Sequence, residues 1–324
     1  MIRRRVCVTV LVAIAASGAS AQEPAQPPGA PKWATLGTHG GPVEIANRSE
    51  PANAILIGRD AYLVDVGDGA CEQLAKAGVR LGQVRAVFIS HLHFDHIGGL
   101  SALIGLRNQL GVPGVLNVYG PPGTKELVDG LVAATMPSAA AGYGFAGKPF
   151  ADPVGSVKVF ELVDGSTAEV GPMKVTAREN SHYSFAPGSD LDRRYKSLSY
   201  RFDAPGRSMV YTGDTGPSPA VEELASGADL LVSEMIDLDS ILPPGPRQQA
   251  AVNSTGQDMP RHLTEHHITP DQVGKIAGDA KVQELVITHL VARDPSAADL
   301  MRYHEIIGRR YSGPVVIAND LDVF

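Results

Sequence analysis

Short apolar runs rich in valine and isoleucine recur along most of the chain, and stretches with helical spacing separate them. Such runs are typical of buried β-strands, where branched side chains pack well. The pattern predicts about eleven strands, at residues 54–57, 62–66, 84–90, 115–119, 157–162, 173–177, 197–202, 208–213, 229–234, 284–289 and 315–319. It predicts helices at 70–77, 98–110, 122–135, 217–226, 270–280 and 296–309.

The order of these elements indicates an α/β protein. A run of strands followed by interleaved helices occurs twice, which predicts two sheets packed together with helices outside them. Two segments rich in glycine, proline and alanine, at 137–155 and 237–261, interrupt the pattern. Because loops of that length in a compact domain are usually functional or mobile, we interpret both as candidate walls of a pocket.

The beginning of the chain has a different pattern. Arginines at 3–5, an apolar run at 6–16 and small residues at 19–21 follow one another in the order of a secretory signal peptide. The apolar run is shorter than the roughly 20 residues that span a bilayer, so no stable membrane anchor is expected. We predict cleavage near Ala21 and a periplasmic or secreted protein. The predicted parts are a signal peptide at 1–21, a disordered linker at 22–32 and one domain at 33–324.

Composition and charge narrow the function classes. A chain of 324 residues with 44% hydrophobic and 19% charged residues can bury a core, which excludes a disordered or fibrous protein. The formal net charge is −7, and no run rich in lysine and arginine lies outside the first five residues. On this basis no duplex nucleic acid is expected as a partner. Removal of the signal peptide would leave Cys71 as the only cysteine, without an internal disulfide.

The ten histidines are the most informative residues. Three of them lie with an aspartate in the hexapeptide 91–96, HLHFDH, directly after the predicted strand 84–90. Imidazole suits zinc and a carboxylate is a harder oxygen ligand, so the hexapeptide offers parts of two metal sites. The remaining ligands must come from elsewhere. His182, Asp214 and His289 each lie at the carboxyl end of a predicted strand, where α/β proteins build sites.

The run H-x-H-x-D-H, a single later histidine, an aspartate in a Thr-Gly-Asp-Thr turn and a final histidine resemble the metallo-β-lactamase superfamily over roughly residues 33–324. The resemblance implies an αββα sandwich of the metallo-β-lactamase type, with two zinc ions per chain at its edge. It also implies a ligand set: His91, His93 and His182 for one zinc, Asp95, His96 and His289 for the other, and Asp214 as the bridge between them.

Further residues resemble one branch of the superfamily. The segment 36–42, LGTHGGP, resembles the opening of ribonuclease Z and its arylsulfatase-like relatives, and His267-Ile268-Thr269 resembles their His-Ser-Thr segment. The resemblance implies that His267 is the histidine of this branch that does not bind metal, and Glu234 resembles the glutamate at a strand end of the same branch. We hypothesise that Glu234 orients His267. We predict that Asp95 orients the attacking hydroxide while ligating metal. We also predict that His267 either donates a proton to the leaving alcohol or polarises the tetrahedral oxygen.

These residues predict an exported binuclear zinc hydrolase of phosphodiesters or sulfate esters, acting on a small-molecule ester. Transfer RNA is not expected, because the 31 residues between His182 and Asp214 leave no room for the long arm with which ribonuclease Z grips it. Three alternatives stay open: a periplasmic β-lactamase or lactonase of the same superfamily, a metal-scavenging protein without turnover, and a di-iron oxidoreductase. The oligomeric state stays open between a monomer and a homodimer, the form that relatives in this branch often have.

Overall fold

The computed structural model describes residues 29–43, 45–242 and 258–324. The predicted signal peptide, most of the predicted linker and residues 243–257 of the second predicted loop lie outside the described residues. Within them the chain forms thirteen strands and ten α-helices, with a short 3-10 turn at Leu81–Gln83. None of the described helices combines the length and the apolar composition that crossing a bilayer requires.

The first sheet contains six strands that lie side by side in sequence order. The first three strands pair antiparallel, and the third to the sixth pair parallel, with helices in the crossovers. The strands are β1 (Lys32–Gly37), β2 (Ala52–Ile57), β3 (Asp60–Val66), β4 (Val84–Phe88), β5 (Leu116–Gly120) and β6 (Val157–Glu161). The helices are α1 (Ala70–Lys76), α2 (Phe94–Ile97), α3 (Leu100–Gln109) and α4 (Thr124–Ala141).

The second sheet contains seven strands, which also lie in sequence order. Its first four strands pair antiparallel and its last four pair parallel. The strands are β7 (Thr167–Val170), β8 (Met173–Glu179), β9 (Leu198–Ala204), β10 (Arg207–Tyr211), β11 (Leu230–Ile236), β12 (Glu284–Val291) and β13 (Val315–Ile317). The helices are α5 (Asp190–Arg194), α6 (Pro219–Leu224), α7 (Leu238–Ile241), α8 (Met259–Glu265), α9 (Pro270–Ala280) and α10 (Ala297–Gly308).

Three apolar layers hold the two sheets and the helices together. Between the sheets lies an aromatic core that contains Trp33, Phe88, Phe202 and Tyr211, with ring centroids 5.1 to 6.1 Å apart. A second cluster lies under the helices that cover the first sheet, and a third lies under α6, α9 and α10 on the second sheet. The order helix, sheet, sheet, helix confirms the predicted αββα sandwich.

The structure contains elements that the sequence pattern did not predict, namely strands β1 and β7 and the short helices α2, α5, α7 and α8. Two of the boundary differences have a physical reason. Helix α4 continues beyond residue 135, through Pro137, to Ala141. Pro137 cannot donate to the carbonyl of Ala133, but both residues are exposed, so water can satisfy that carbonyl. Strand β1 begins at Lys32, inside the predicted linker. It pairs with β2 on one side, and on its other side Trp33 exchanges backbone hydrogen bonds with Phe324, a residue far away in the sequence.

Candidate metal centre

The seven predicted ligands converge at one edge of the sandwich, where strands of both sheets end. His91 follows β4, His93 directly precedes the short helix α2, and Asp95 and His96 lie within that helix. From the second sheet, His182 follows β8, Asp214 follows β10 and His289 lies near the end of β12. The structure therefore brings together residues that are up to 198 positions apart in the chain.

Asp214 lies between two groups of ligand atoms. Its Oδ2 is 3.9 Å from Nε2 of His91 and 3.9 Å from Nε2 of His182. Its Oδ1 is 3.3 Å from Nε2 of His96 and 3.2 Å from Nε2 of His289. The residue is 2% exposed. Burial opposes its charged form, but His289 and His96 hold the pKa of this carboxyl well below its ordinary value. Each carboxylate oxygen thus faces a different group, as a bridging ligand requires.

The other ligands complete the two groups. His93 and His182 meet on the first side, with Nδ1 of His93 3.0 Å from Nε2 of His182. Asp95 belongs to the second side, where its Oδ2 is 3.5 Å from Nε2 of His96 and 3.6 Å from Nε2 of His289. Burial opposes ionisation of Asp95, yet these two histidines lower its pKa to about 2. Asp95 is therefore a carboxylate at neutral pH.

The chemistry of these atoms fits divalent cations. Nε2 of His91, His96 and His289 and Oδ1 of Asp214 are buried and have no hydrogen-bond partner within the described part of the chain. Buried polar atoms without partners are costly, so a cluster of them is unusual unless it has a counter-charge. Imidazole nitrogens and carboxylate oxygens are ligands that zinc accepts in proteins. The residues thus fit the metal that the family resemblance implies.

Hydrogen bonds at Nδ1 determine the tautomers of two predicted ligands, His96 and His182. Nδ1 of His96 is 2.8 Å from a carboxylate oxygen of Asp65, and Nδ1 of His182 is 2.9 Å from the backbone carbonyl of His266. Because both partners only accept, each Nδ1 carries the proton and donates it. The lone pair of each Nε2 is left directed at the centre, which is the arrangement that metal-binding histidines need.

Sequence reasoning missed Asp65, which lies at the end of β3. Besides His96, its carboxylate accepts the backbone N–H and the hydroxyl of Ser90, both at 2.7 Å, and the hydroxyl of Tyr211 at 2.9 Å. Its φ of 57° lies in the left-handed region, which residues other than glycine rarely adopt. The available signal was a charged residue inside an otherwise apolar strand, YLVDV, because aspartate is rarely buried without a partner.

Next to the ligands lies the predicted pair His267 and Glu234. Nδ1 of His267 is 2.7 Å from Oε2 of Glu234, and the other oxygen of Glu234 accepts the backbone N–H of Thr215. Burial favours the neutral form of His267, but the Glu234 carboxylate outweighs it and raises the pKa of His267 to about 9. The His267 ring lies 5.1 Å from that of His182 and 6.1 Å from that of His289.

A further histidine, His262 on α8, was not predicted as a site residue. Its ring centroid is 5.2 Å from those of His182 and His267 and 5.9 Å from that of His93. Burial and the neighbouring His267 lower its pKa to about 4. The available signal was the spacing of His262 and His266, which places both on one side of a helix.

The centre opens into a cavity of about 450 Å³. Asp258 and Met259, from the second predicted loop, contribute to its wall, and residues 243–257 of that loop lie outside the described residues. The first predicted loop, 137–155, does not line this cavity. Its last residues instead border a cavity of about 510 Å³ between α4 and β6, which contains none of the predicted site residues.

The segment 36–42 packs against the strand that carries the last predicted ligand, His289. A Cβ atom on Gly40 would lie 2.8 Å from Nδ1 of His289 and 2.6 Å from the side chain of Val291. The Gly40 N–H also donates to the backbone carbonyl of Leu290. Only glycine lets the backbone approach the last predicted ligand so closely.

Comparison with known proteins agrees with this geometry. A family model described as a beta-lactamase superfamily domain matches residues 61–290. Ribonuclease Z of Mycobacterium marinum is 28% identical to this chain over 289 residues, and ribonuclease Z of Mycobacterium avium is 30% identical over 289 residues. In both cases the match covers 88% of this chain and 95% of the relative.

Solved structures share the fold. The metallo-beta-lactamase fold protein YhfI from Bacillus subtilis matches with a TM-score of 0.66 and 22% identity, over 92% of this chain and 99% of that protein. The short form of human tRNase Z matches with a TM-score of 0.62 and 19% identity, over 90% of this chain and 98% of that protein. At these identities the likeness concerns the fold alone.

The relatives contradict the expected partners, a small-molecule ester and neither duplex nucleic acid nor transfer RNA, because they are ribonucleases. The expectation failed for two reasons. Net charge averages over the whole surface and does not describe the field at a site, where bound cations add positive charge. The relatives also match over 95% of their own length, so the short segment between His182 and Asp214 does not set this chain apart from them. The chain belongs to the metallo-β-lactamase superfamily of hydrolases, in its ribonuclease Z branch.

Proposed function

We propose that this protein is a metal-dependent phosphodiesterase that cleaves RNA, and that it works with two zinc ions. The observation that carries the proposal is Asp214, which directs one carboxylate oxygen at each of the two ligand groups. The ribonuclease Z relatives favour a phosphodiester in RNA over the sulfate ester, lactone and lactam. The proposed ligands are His91, His93, His182, Asp95, His96, His289 and the bridging Asp214.

Two bound zinc ions would supply a nucleophile at neutral pH and would neutralise charge on the phosphoryl oxygens. Asp95 lines the cavity and is ionised, so it can accept a hydrogen bond from the attacking water and orient it. We assign this orienting role to Asp95 in addition to its role as a ligand.

His267 is the proposed proton donor to the leaving oxygen. It lines the same cavity, and its bond to Glu234 fixes the ring and favours the protonated form. Cleavage of the P–O bond leaves negative charge on an alkoxide, a poor leaving group that needs a proton. An activated ester, whose leaving group is a weak base, needs this proton less, so the pair supports an ester with an unactivated alkoxide leaving group, as in a phosphodiester.

An aromatic side chain at the cavity favours a nucleotide substrate. Phe94 is 77% exposed although it lies between two predicted ligands, His93 and Asp95. Its ring edge lies over Gly98, where a Cβ atom would be 3.3 Å from the Phe94 ring. Proteins that bind single-stranded nucleic acid commonly stack bases on exposed aromatic rings of this kind. We propose that a base beside the scissile phosphate stacks on Phe94.

The experiment compares substrate classes under one set of conditions. The zinc-loaded protein is incubated with a precursor transfer RNA that carries a 3′ trailer, a single-stranded RNA, a DNA of the same sequence, p-nitrophenyl sulfate and nitrocefin. We expect RNA cleavage that a chelator abolishes and zinc restores. Asp214→Asn should be inactive, whereas Asp152→Asn, at an exposed aspartate, should match the wild type. Turnover of the sulfate or of nitrocefin with both RNAs intact would contradict the proposal.

Export is a separate proposal that rests on residues 1–21 alone. We propose that the mature protein begins at Gln22 and is periplasmic or secreted.

A further inference from the structure

His262 lies in the cavity and has no part in the reaction proposed above. Together with Asp95, Asp214 and His267 it lines the space above the metal centre. His262 lies in α8 and His266 is the residue that follows its last turn, so the two histidines, four residues apart, lie on the same side. Hydrogen bonds connect both histidines to the metal centre. Nδ1–H of the predicted ligand His182 donates to the backbone carbonyl of His266, and the backbone N–H of His266 donates to the backbone carbonyl of His262.

The bond between the two rings indicates which nitrogen of His262 carries a proton. The Nδ1 atoms of His262 and His266 are 3.0 Å apart, so one donates and the other accepts. Nε2 of His266 is buried and has no partner among the residues that the structure describes. A buried N–H without an acceptor is rarer than an unpaired acceptor, so the proton of His266 lies on Nδ1. His266 is then the donor, and neutral His262 carries its own proton on Nε2.

We propose that His262 is a phosphate-binding residue, whose Nε2–H donates a hydrogen bond to a non-bridging oxygen of the scissile phosphate. Its neighbours support this, because the rings of His182 and His267 both lie 5.2 Å away. A phosphate that lies beside the predicted ligand His182 and directs its leaving oxygen toward His267 would be close enough to accept a hydrogen bond from His262. This inference rests on the proposed function and adds a residue that selects phosphate.

The competing role for His262 is that of a metal ligand. His182, His262 and His267 each have a ligand-type atom within 4.8 Å of the others. However, Nδ1 of His267 is bound to Glu234, and His182 belongs to the group around Asp214. Phosphate binding and metal binding predict different effects on zinc content, so one set of variants separates them.

The test uses the zinc-loaded full chain and three substitutions: His262→Gln, His262→Asn and His262→Ala. The amide nitrogen of glutamine reaches the position of Nε2, whereas that of asparagine reaches the position of Nδ1. Inorganic phosphate is titrated calorimetrically, and kcat and KM are measured on RNA. We expect the Kd for phosphate and the KM to rise about tenfold in the Ala and Asn variants and less than about threefold in the Gln variant. His304→Ala, at an exposed histidine of α10, is the control and should match the wild type.

Zinc content, measured by elemental analysis, should be the same in all variants. Loss of zinc from His262→Ala would overturn the inference and make His262 a ligand. Absence of phosphate binding to the wild type, or equal binding by the wild type and His262→Ala, would also overturn it. If phosphate binding depends on His262 but no RNA is cleaved, the proposed function fails, and of the inference the phosphate-binding role of His262 stands. If RNA is cleaved and phosphate binding is independent of His262, only the inference fails.

Discussion

Replacement of Asp65 by asparagine tests whether hydrogen bonds behind the ligands hold the metal centre. The carboxylate accepts four hydrogen bonds of 2.7 to 2.9 Å, from Ser90, His96 and Tyr211, and it is completely buried. Asparagine has nearly the same shape but only one acceptor oxygen. The substitution therefore changes the hydrogen bonding and leaves the packing almost unchanged.

The expected loss follows from the geometry. If the amide nitrogen replaces Oδ2, the hydroxyls of Ser90 and Tyr211 can turn and accept from it, but Nδ1–H of His96 loses its acceptor. If the amide is turned over, the Ser90 backbone N–H loses its acceptor instead. One buried N–H is unsatisfied in either case, and a bond to a charged group is lost. We expect the free energy of unfolding to fall by about 2–4 kcal/mol.

The substitution should also weaken metal binding. Without the carboxylate, His96 is free to place its proton on Nε2, the atom directed at Asp214. Changes to such supporting residues cost about 10- to 100-fold in metal affinity. Zinc affinity is measured by competition with a chromogenic chelator, and the unfolding free energy by urea denaturation of the metal-free protein.

Asp60→Asn is the matched control, because Asp60 begins the same strand but its side chain is 39% exposed and pairs with Arg85 at the surface. We expect it to change the unfolding free energy by less than about 0.5 kcal/mol. If Asp65→Asn binds zinc within about twofold of the wild type and is as stable as Asp60→Asn, the reasoning about His96 is refuted.

The site supports three further predictions, and the beginning of the sequence supports a fourth. Asp214→Ala should lose bound zinc and activity together, and an active variant with full zinc content would disprove the bridging role. His267→Ala should keep its zinc but cleave RNA about 10²- to 10⁴-fold more slowly; an equal loss on bis(p-nitrophenyl) phosphate, which has an activated leaving group, would exclude a proton-donor role. Phe94→Ala should raise the KM about tenfold for RNA but not for an oligonucleotide that lacks the flanking base, and Phe94→Trp should restore it. Mass spectrometry of the protein exported by a bacterial host should give an N-terminus at Gln22, and an uncleaved chain would contradict the signal peptide.

Much of the centre could be predicted because its signals are local. Four of the seven predicted ligands, His91, His93, Asp95 and His96, lie in one hexapeptide. The other three, His182, Asp214 and His289, lie at the carboxyl ends of apolar strands. Strand ends of a sheet meet at one edge, so this placement already indicates that the residues converge. The αββα class came from the family resemblance, because the order of the elements predicted only two packed sheets with helices outside them.

Composition, in contrast, misled the prediction of the partner. The net charge of −7 and the short segment before Asp214 both argued against nucleic acid, and the ribonuclease Z relatives contradict that conclusion. A summed charge contains no positions, whereas recognition depends on the charge at the site.

The sequence by itself determined the kinds of elements, their order and the ligand types, because each depends on residues close together in the chain. Only the tertiary structure decided that Asp214 directs its two oxygens at different groups, that Asp65 lies behind His96 and that His262 faces the cavity. The bond from Tyr211 to Asp65 joins residues 146 positions apart. Contacts of this kind leave no periodicity in the sequence, because the packing of one sheet on the other creates them.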